Sequence, residues 1–226
     1  MHNTFERFRE LFEERYKLIS VLDLGEDSVR YDFFSALIDT LNLKPWEIQL
    51  EHAVHPQSFK PRENAKRKRD EKPQIDLWFV YANQHVGVEF AIFKRNKVDG
   101  SRINDTEYIF KVLNDMMRLA LNAELTNSKA YFVCIADSSM LGKQLWNKQL
   151  PAFPGAEYSF DADKLQGLID SMISAKNRLD ERFLYKLREM NLKVTGQLVF
   201  DKRVESKTNP LETKALVWEI KWEVNL

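Results

Sequence analysis

Asp76 and Glu89 are the residues of this chain with the most chemistry to offer. Asp76 closes the run Pro73-Gln74-Ile75-Asp76, and Glu89 lies within Gly87-Val88-Glu89-Phe90-Ala91-Ile92-Phe93-Lys94. Both runs read as β-strands, the first continuing to Tyr81 and the second spanning about 86 to 94, with His85 in the turn between them. An even, two-residue loop puts Asp76 opposite Glu89 or Ala91, so all three share one sheet face. Both strands are largely apolar on both sides and belong in the middle of a covered sheet. An ionised carboxylate is costly there unless a metal or a cation neutralises it. Mg²⁺ or Mn²⁺ suits such a pair, because a hard ion takes one or two carboxylates plus phosphate oxygens and keeps several waters. Asp76, Glu89 and the Phe90 carbonyl form a sufficient set of protein ligands. The structural alternative is a pair of strand-end acids that are solvated or held by arginine.

Helices and strands in α/β order must position this pair. An amphipathic helix uses Phe5, Phe8, Leu11 and Phe12, and a second runs from about Glu26 to Leu43 with Val29, Phe33, Leu37 and Leu41 on one stripe. Strands are expected near 46 to 54, 74 to 81 and 86 to 94. A helix of about 20 residues then ends at Leu125 and leads to a strand over 129 to 136. A short helix near 139 to 148, a long helical region from Leu165 to Leu187, and two closing strands, Val194 to Val204 and Ala215 to Val224, complete the order. The fold class is therefore α/β, a mixed sheet flanked by helices with a C-terminal β-hairpin. It reads as one domain over 1 to 226, with 151 to 226 open to being an appended specificity or dimerisation lobe.

The sequence Asp76, a spacer, then Glu89-Phe90-Ala91 resembles the D-X(n)-E-X-K motif of the PD-(D/E)XK, or restriction-endonuclease-like, nuclease superfamily. Upstream, Glu26-Asp27-Ser28-Val29-Arg30 and Trp46-Glu47-Ile48-Gln49-Leu50-Glu51 are similar to the nuclease domain at the front of type I restriction subunits, as is Asn114-Asp115-Met116-Met117-Arg118-Leu119 downstream. The resemblance implies a restriction-endonuclease-like core and Mg²⁺-dependent hydrolysis of DNA phosphodiesters in defence against foreign DNA. It makes Asp76 and Glu89 the metal ligands and Glu26 the helix acid, with Asp27, Asp32 and Glu51 as rivals for that role. The family lysine falls at position 91, where this chain has Ala91; Lys94 has the opposite strand parity and points away. Three readings follow: a cation moved in from another element, a pseudo-nuclease that only binds, or an engineered lysine-to-alanine knockout. The last is favoured, since the rest of the motif is intact, and it predicts binding without efficient cutting.

Between the carboxylate regions, Ser58 to Lys72 holds seven Lys or Arg against three acids. Lys60, Arg62, Lys66, Arg67, Lys68 and Arg69 there, with Lys94 and Arg95 after the second strand, are candidate phosphate contacts. Such contacts position DNA without reading its sequence. The chain as a whole is neutral, with 34 basic and 34 acidic side chains among 226 residues, so DNA affinity must come from a local patch. The alternative to an enzyme is a degenerate nuclease fold that binds nucleic acid or a protein partner, and neutrality favours a third class, a structural or assembly subunit that touches no nucleic acid. A homodimer is expected by analogy with enzymes that cut both strands. The single cysteine, Cys134, sits in an apolar run and reads as core. His52 and His55, three apart on a strand, face opposite sides and argue against zinc. No stretch of about 18 apolar residues is present, so no membrane span and a cytoplasmic address are expected.

Overall fold

The computed structural model describes residues 1–20, 23–62, 72–94, 105–144, 150–171, 178–205 and 212–225. Helices α1 (His2–Leu18) and α2 (Glu26–Leu41) come first, followed by β1 (Ile48–Ala53), β2 (Gln74–Tyr81) and β3 (Gln84–Phe93). After α3 (Asp105–Thr126) come β4 (Lys129–Asp137), β5 (Glu157–Phe160), α4 (Ala162–Asp170), α5 (Glu181–Glu189), β6 (Leu192–Val204) and β7 (Thr213–Val224). Together they make a mixed α/β structure: one seven-stranded sheet in the order β1-β2-β3-β4-β7-β6-β5, flanked by five helices. Every neighbouring pair is antiparallel except β3 and β4, which run parallel across the α3 crossover.

Alternation in β2 and β3 sorts their side chains into two cores. Leu77, Phe79, Val86, Val88 and Phe90 face α1 and α2, against Phe8, Phe12, Val29 and Phe33. Ala91 and Phe93 face the other way, onto Phe110, Leu113 and Met117 of α3. Glu89 sits between Val88 and Phe90 and so takes the α3 side. Each core needs only one stripe of its helix: Val29, Phe33, Ala36 and Leu37 on α2, and Leu113, Met116, Met117 and Ala120 on α3.

Several boundaries differ from the sequence expectation. Tyr81 pairs with Gln84, and the turn is Ala82-Asn83 with φ of 50° and 61°, which suits a two-residue hairpin loop; His85 is therefore a strand residue, not a turn residue. Trp46 and Glu47 belong to a 3₁₀ turn that begins at Pro45, which lacks the amide a strand ladder needs. In place of a helix at 139, residues 138–142 form turns in which the Asp137 carboxylate accepts from the Ser139 amide at 2.8 Å. The long helix over 165 to 187 is two, α4 and α5, N-capped by Asp161 and Asp180. Leu165, Leu168, Phe183 and Leu187 all bury into one core, so their apolar period continues through the break. Strand β5 has four residues and its periodicity is too short to register. The C-terminal hairpin is present as β6 and β7, and β7 joins it to β4. Among the described residues no helix is long and apolar enough to cross a membrane.

Candidate active site

Extending the Leu77–Val88 pairing by one step sets Asp76 level with Glu89, the first of the two expected alternatives. The ladder changes character at that point. The Phe90 amide donates to Asp76 Oδ2 at 2.9 Å, so a side-chain carboxylate substitutes for a strand carbonyl. Its other oxygen, Oδ1, accepts from Arg30 Nη2 at 2.8 Å. Arg30 stands one helical turn after Glu26 on α2, and its buried Nε makes no hydrogen bond.

α3 supplies the rest of the site. Lys111, Asp115 and Arg118 are spaced i, i+4, i+7 and so share a face directed at the Glu89 side of the sheet. Arg118 donates from Nε to Glu89 Oε1 at 2.6 Å and from Nη2 to Asp115 Oδ1 at 2.7 Å. Lys111 Nζ lies 3.0 Å from Asp115 Oδ2 and 3.1 Å from Glu26 Oε2. The contact with Asp115 is an ion pair without hydrogen-bond alignment, and Oδ2 remains buried with no hydrogen bond. Among the four candidate helix acids, Glu26 is the one tied to this cluster. Asp32 is held by Arg15 at 2.6 Å, while Asp27 and Glu51 are exposed and lie at 3.6 and 4.0 Å from Arg30.

Four carboxylates, Glu26, Asp76, Glu89 and Asp115, thus meet three cations, Arg30, Lys111 and Arg118, with the exposed Asp27 and Glu51 also within ion-pair reach of Arg30. Burial pushes the Glu89 carboxyl well above its ordinary range; Arg118 opposes this, and the charges of Asp115 and Asp76 reinforce it. Burial likewise raises Glu26 against the pull of Lys111. Burial disfavours charge on Lys111 and Arg118, but their acidic partners outweigh it and hold both further up than usual. One guanidinium serves two acids and Asp115 has Lys111 in addition, so Glu89 is the acid that takes up a proton first.

That asymmetry has a pH signature. The folded chain binds a proton at Glu89 more tightly than the unfolded chain, whose carboxyl titrates near 4.5. The stability contributed by Glu89 is therefore fully present below that value and is lost as pH rises toward the folded value. Denaturant midpoints between about pH 5 and about pH 8 should fall more steeply for the parent than for Glu89→Gln, by up to about 1.4 kcal/mol per pH unit. Parallel curves would show that Glu89 does not titrate in this window.

Ala91 is fully buried beneath α3, and its β4 partner is Cys134. The Lys111 ammonium is on the same side of the sheet, held by Glu26 and Asp115. Cys134 itself is a buried core thiol, raised by burial. Phe90 contributes its backbone beside Asp76, while its ring points into the opposite core. Beside the cluster, between α3 and the start of α5, lies a cleft of about 520 Å³ lined by Lys111, Asn114, Asp115, Arg118, Arg178 and Phe183. Asn114 fixes its far wall, donating to the Arg178 carbonyl at 2.8 Å and accepting from the Asp180 amide at 2.9 Å.

The basic candidates separate in space. Lys60 and Arg62 lie near α5, where the Lys60 amide donates to the Arg182 carbonyl at 3.1 Å and the Arg62 charge lowers Asp180. The Lys94 ammonium instead donates to the Leu24 carbonyl between α1 and α2. Lys66, Arg67, Lys68, Arg69 and Arg95 lie outside the described residues. His52 stacks on Trp78 with ring centroids 4.6 Å apart, while His55 caps the 3₁₀ turn at Pro56, so the two do not converge. Among the described residues no three His, Cys, Asp or Glu side chains stand together as a ready set of metal ligands, because guanidinium and ammonium groups lie between the acids.

Sequence reasoning missed Lys111, Asp115, Arg118 and Arg30 as site residues. Their signal was available in the i, i+4, i+7 spacing of a Lys, an Asp and an Arg on a helix whose other stripe is apolar. Comparisons with protein-family models, curated proteins and solved structures each found no match.

Proposed function

We propose that this protein is a metal-dependent nuclease that hydrolyses phosphodiester bonds of DNA, with Lys111 supplying the cation that the D-X(n)-E-X-K motif lacks at Ala91. The observation that carries this reading is the delivery of the Lys111 ammonium from α3 into the acid cluster, on a chain whose β3 offers a buried alanine and no cation at position 91. Asp76 and Glu89 would hold Mg²⁺ or Mn²⁺, which when bound acidifies a water and offsets charge developing on the scissile phosphate. In that setting Arg30 pins Asp76, Arg118 orients Glu89, and Glu26 with Asp115 holds Lys111 protonated. Lys111 then directs a positive charge at the phosphate and the attacking oxygen, a preorganised electrostatic role. The setting implied by the sequence resemblance is defence against foreign DNA.

A second reading has its own support. Each of the four acids is engaged by a cation of the chain itself, as a closed salt-bridge network in a non-catalytic module would be. The deciding assay incubates the parent chain, Lys111→Ala, Ala91→Lys and Asp76→Ala with plasmid and single-stranded DNA in Mg²⁺, Mn²⁺ or EDTA. Cutting by the parent that stops in Lys111→Ala supports the relocated cation. Cutting gained only in Ala91→Lys identifies Ala91 as an inactivating residue. No cutting in any sample supports the binding module.

A further inference from the structure

α5 presents a mixed aromatic and basic edge that continues the cleft beside the acid cluster. Tyr185, 47% exposed, has two ammonium groups near its ring, Lys60 Nζ at 4.8 Å and Lys186 Nζ at 6.0 Å from the centroid. Arg182 and Tyr185 are three apart on α5 and share its outer face, while Phe183, Leu184 and Leu187 bury the inner one. Arg182 connects this edge to the cleft: its carbonyl accepts from the Lys60 amide at 3.1 Å, and its guanidinium donates to both oxygens of Asp180 at 2.9 and 2.6 Å. Asp180 lines the same space as Arg178 and Arg118. Lys60, Arg62, Arg178 and Arg182 outnumber Asp180, Glu181 and Glu107 by one along a line running from Tyr185 to Arg118.

Resting on the nuclease reading, we propose that this line is a track for single-stranded nucleic acid, with a base stacked on Tyr185 and backbone phosphates held by the basic side chains leading to Arg118. Charge complementarity to a phosphodiester chain selects the polyanion. The exposed ring selects an unpaired strand, since the bases of a duplex are already stacked on one another and leave an aromatic plate without a partner. Stacking and phosphate contact are both sequence-tolerant, so the track binds oligopyrimidines without a recognition site.

Fluorescence anisotropy in EDTA tests this without reading cleavage. The probes are labelled oligo(dT) and oligo(U) of about 20 nucleotides and a duplex of the same length. Oligo(dT) or oligo(U) should bind more tightly than duplex, and the difference between the first two identifies DNA or RNA as the natural strand. Tyr185→Ala should weaken single-strand binding by roughly 5- to 100-fold, while Tyr185→Phe stays within about twofold. Lys60→Ala should reduce the slope of affinity against salt by about one. Arg7→Ala, a charge loss of equal size on α1 across the sheet, should leave binding unchanged. Duplex bound as tightly as single strand, or Tyr185→Ala binding like the parent with an unchanged melting curve, overturns the proposal. An inert acid cluster leaves these titrations intact, whereas a duplex-cutting enzyme with no oligonucleotide affinity sinks the track and spares the nuclease.

Discussion

Lys111→Ala should lower metal-dependent cleavage by about 10²- to 10³-fold, the loss seen when one preorganised electrostatic group is taken from a transition state. Nucleic-acid affinity in EDTA should change far less. The same substitution removes the cation shared by Glu26 and Asp115, so rates must be compared below the melting temperature of the variant. The informative control moves the ammonium instead of deleting it. In the Lys111→Ala, Ala91→Lys double variant, a lysine on β3 faces the same side as Glu89 and should restore part of the lost rate. Ala91→Lys alone adds a second buried cation under α3, where Ala91 is fully enclosed, and should gain little. A Lys111→Ala variant that cuts as fast as its parent would remove Lys111 from the mechanism.

Arg118→Met should destabilise the fold by about 3–5 kcal/mol, because it strips the partner from a carboxylate with 1% side-chain exposure. For a chain of this size that is a fall in melting temperature of roughly 6–20 °C. The cost comes from a buried carboxyl left without its donor, whether it stays charged or takes up a proton, and this gives the prediction a second part. Glu89→Gln introduced into Arg118→Met removes the group that needed the partner and should recover a good share of the loss. Asp115 keeps Lys111 in both variants, so recovery should be incomplete. Additive losses from the two substitutions in thermal melts near neutral pH would mean that the 2.6 Å contact carries little coupling.

Asp76 and Glu89 were legible in the sequence because their relation is local. Alternation fixes the faces and a two-residue turn fixes the register, so counting along the hairpin suffices. Lys111, Asp115 and Arg118 reach the same place from a helix that crosses over the sheet between β3 and β4, and no count along the chain measures that distance. Glu26 looked like three other acids until tertiary packing set Lys111 beside it and gave Asp32 to Arg15. Val86 and Phe90 revealed their core by period alone. By contrast, Leu168 and Phe183 share a core across two helices, and their common period hid the break between α4 and α5.

The bond from the Phe90 amide to Asp76 gives the hairpin a second means of detecting its own misalignment. A slip of one residue between β2 and β3 is rejected by burial, since it would turn Val88 and Phe90 away from the core against α1 and α2. A slip of two residues preserves alternation and passes that hydrophobic test. It fails at Asp76, which would leave the Phe90 amide without its acceptor and carry its charge away from Arg30. Asp76 thus proofreads the strand pairing and favours the alignment that brings the two acids level.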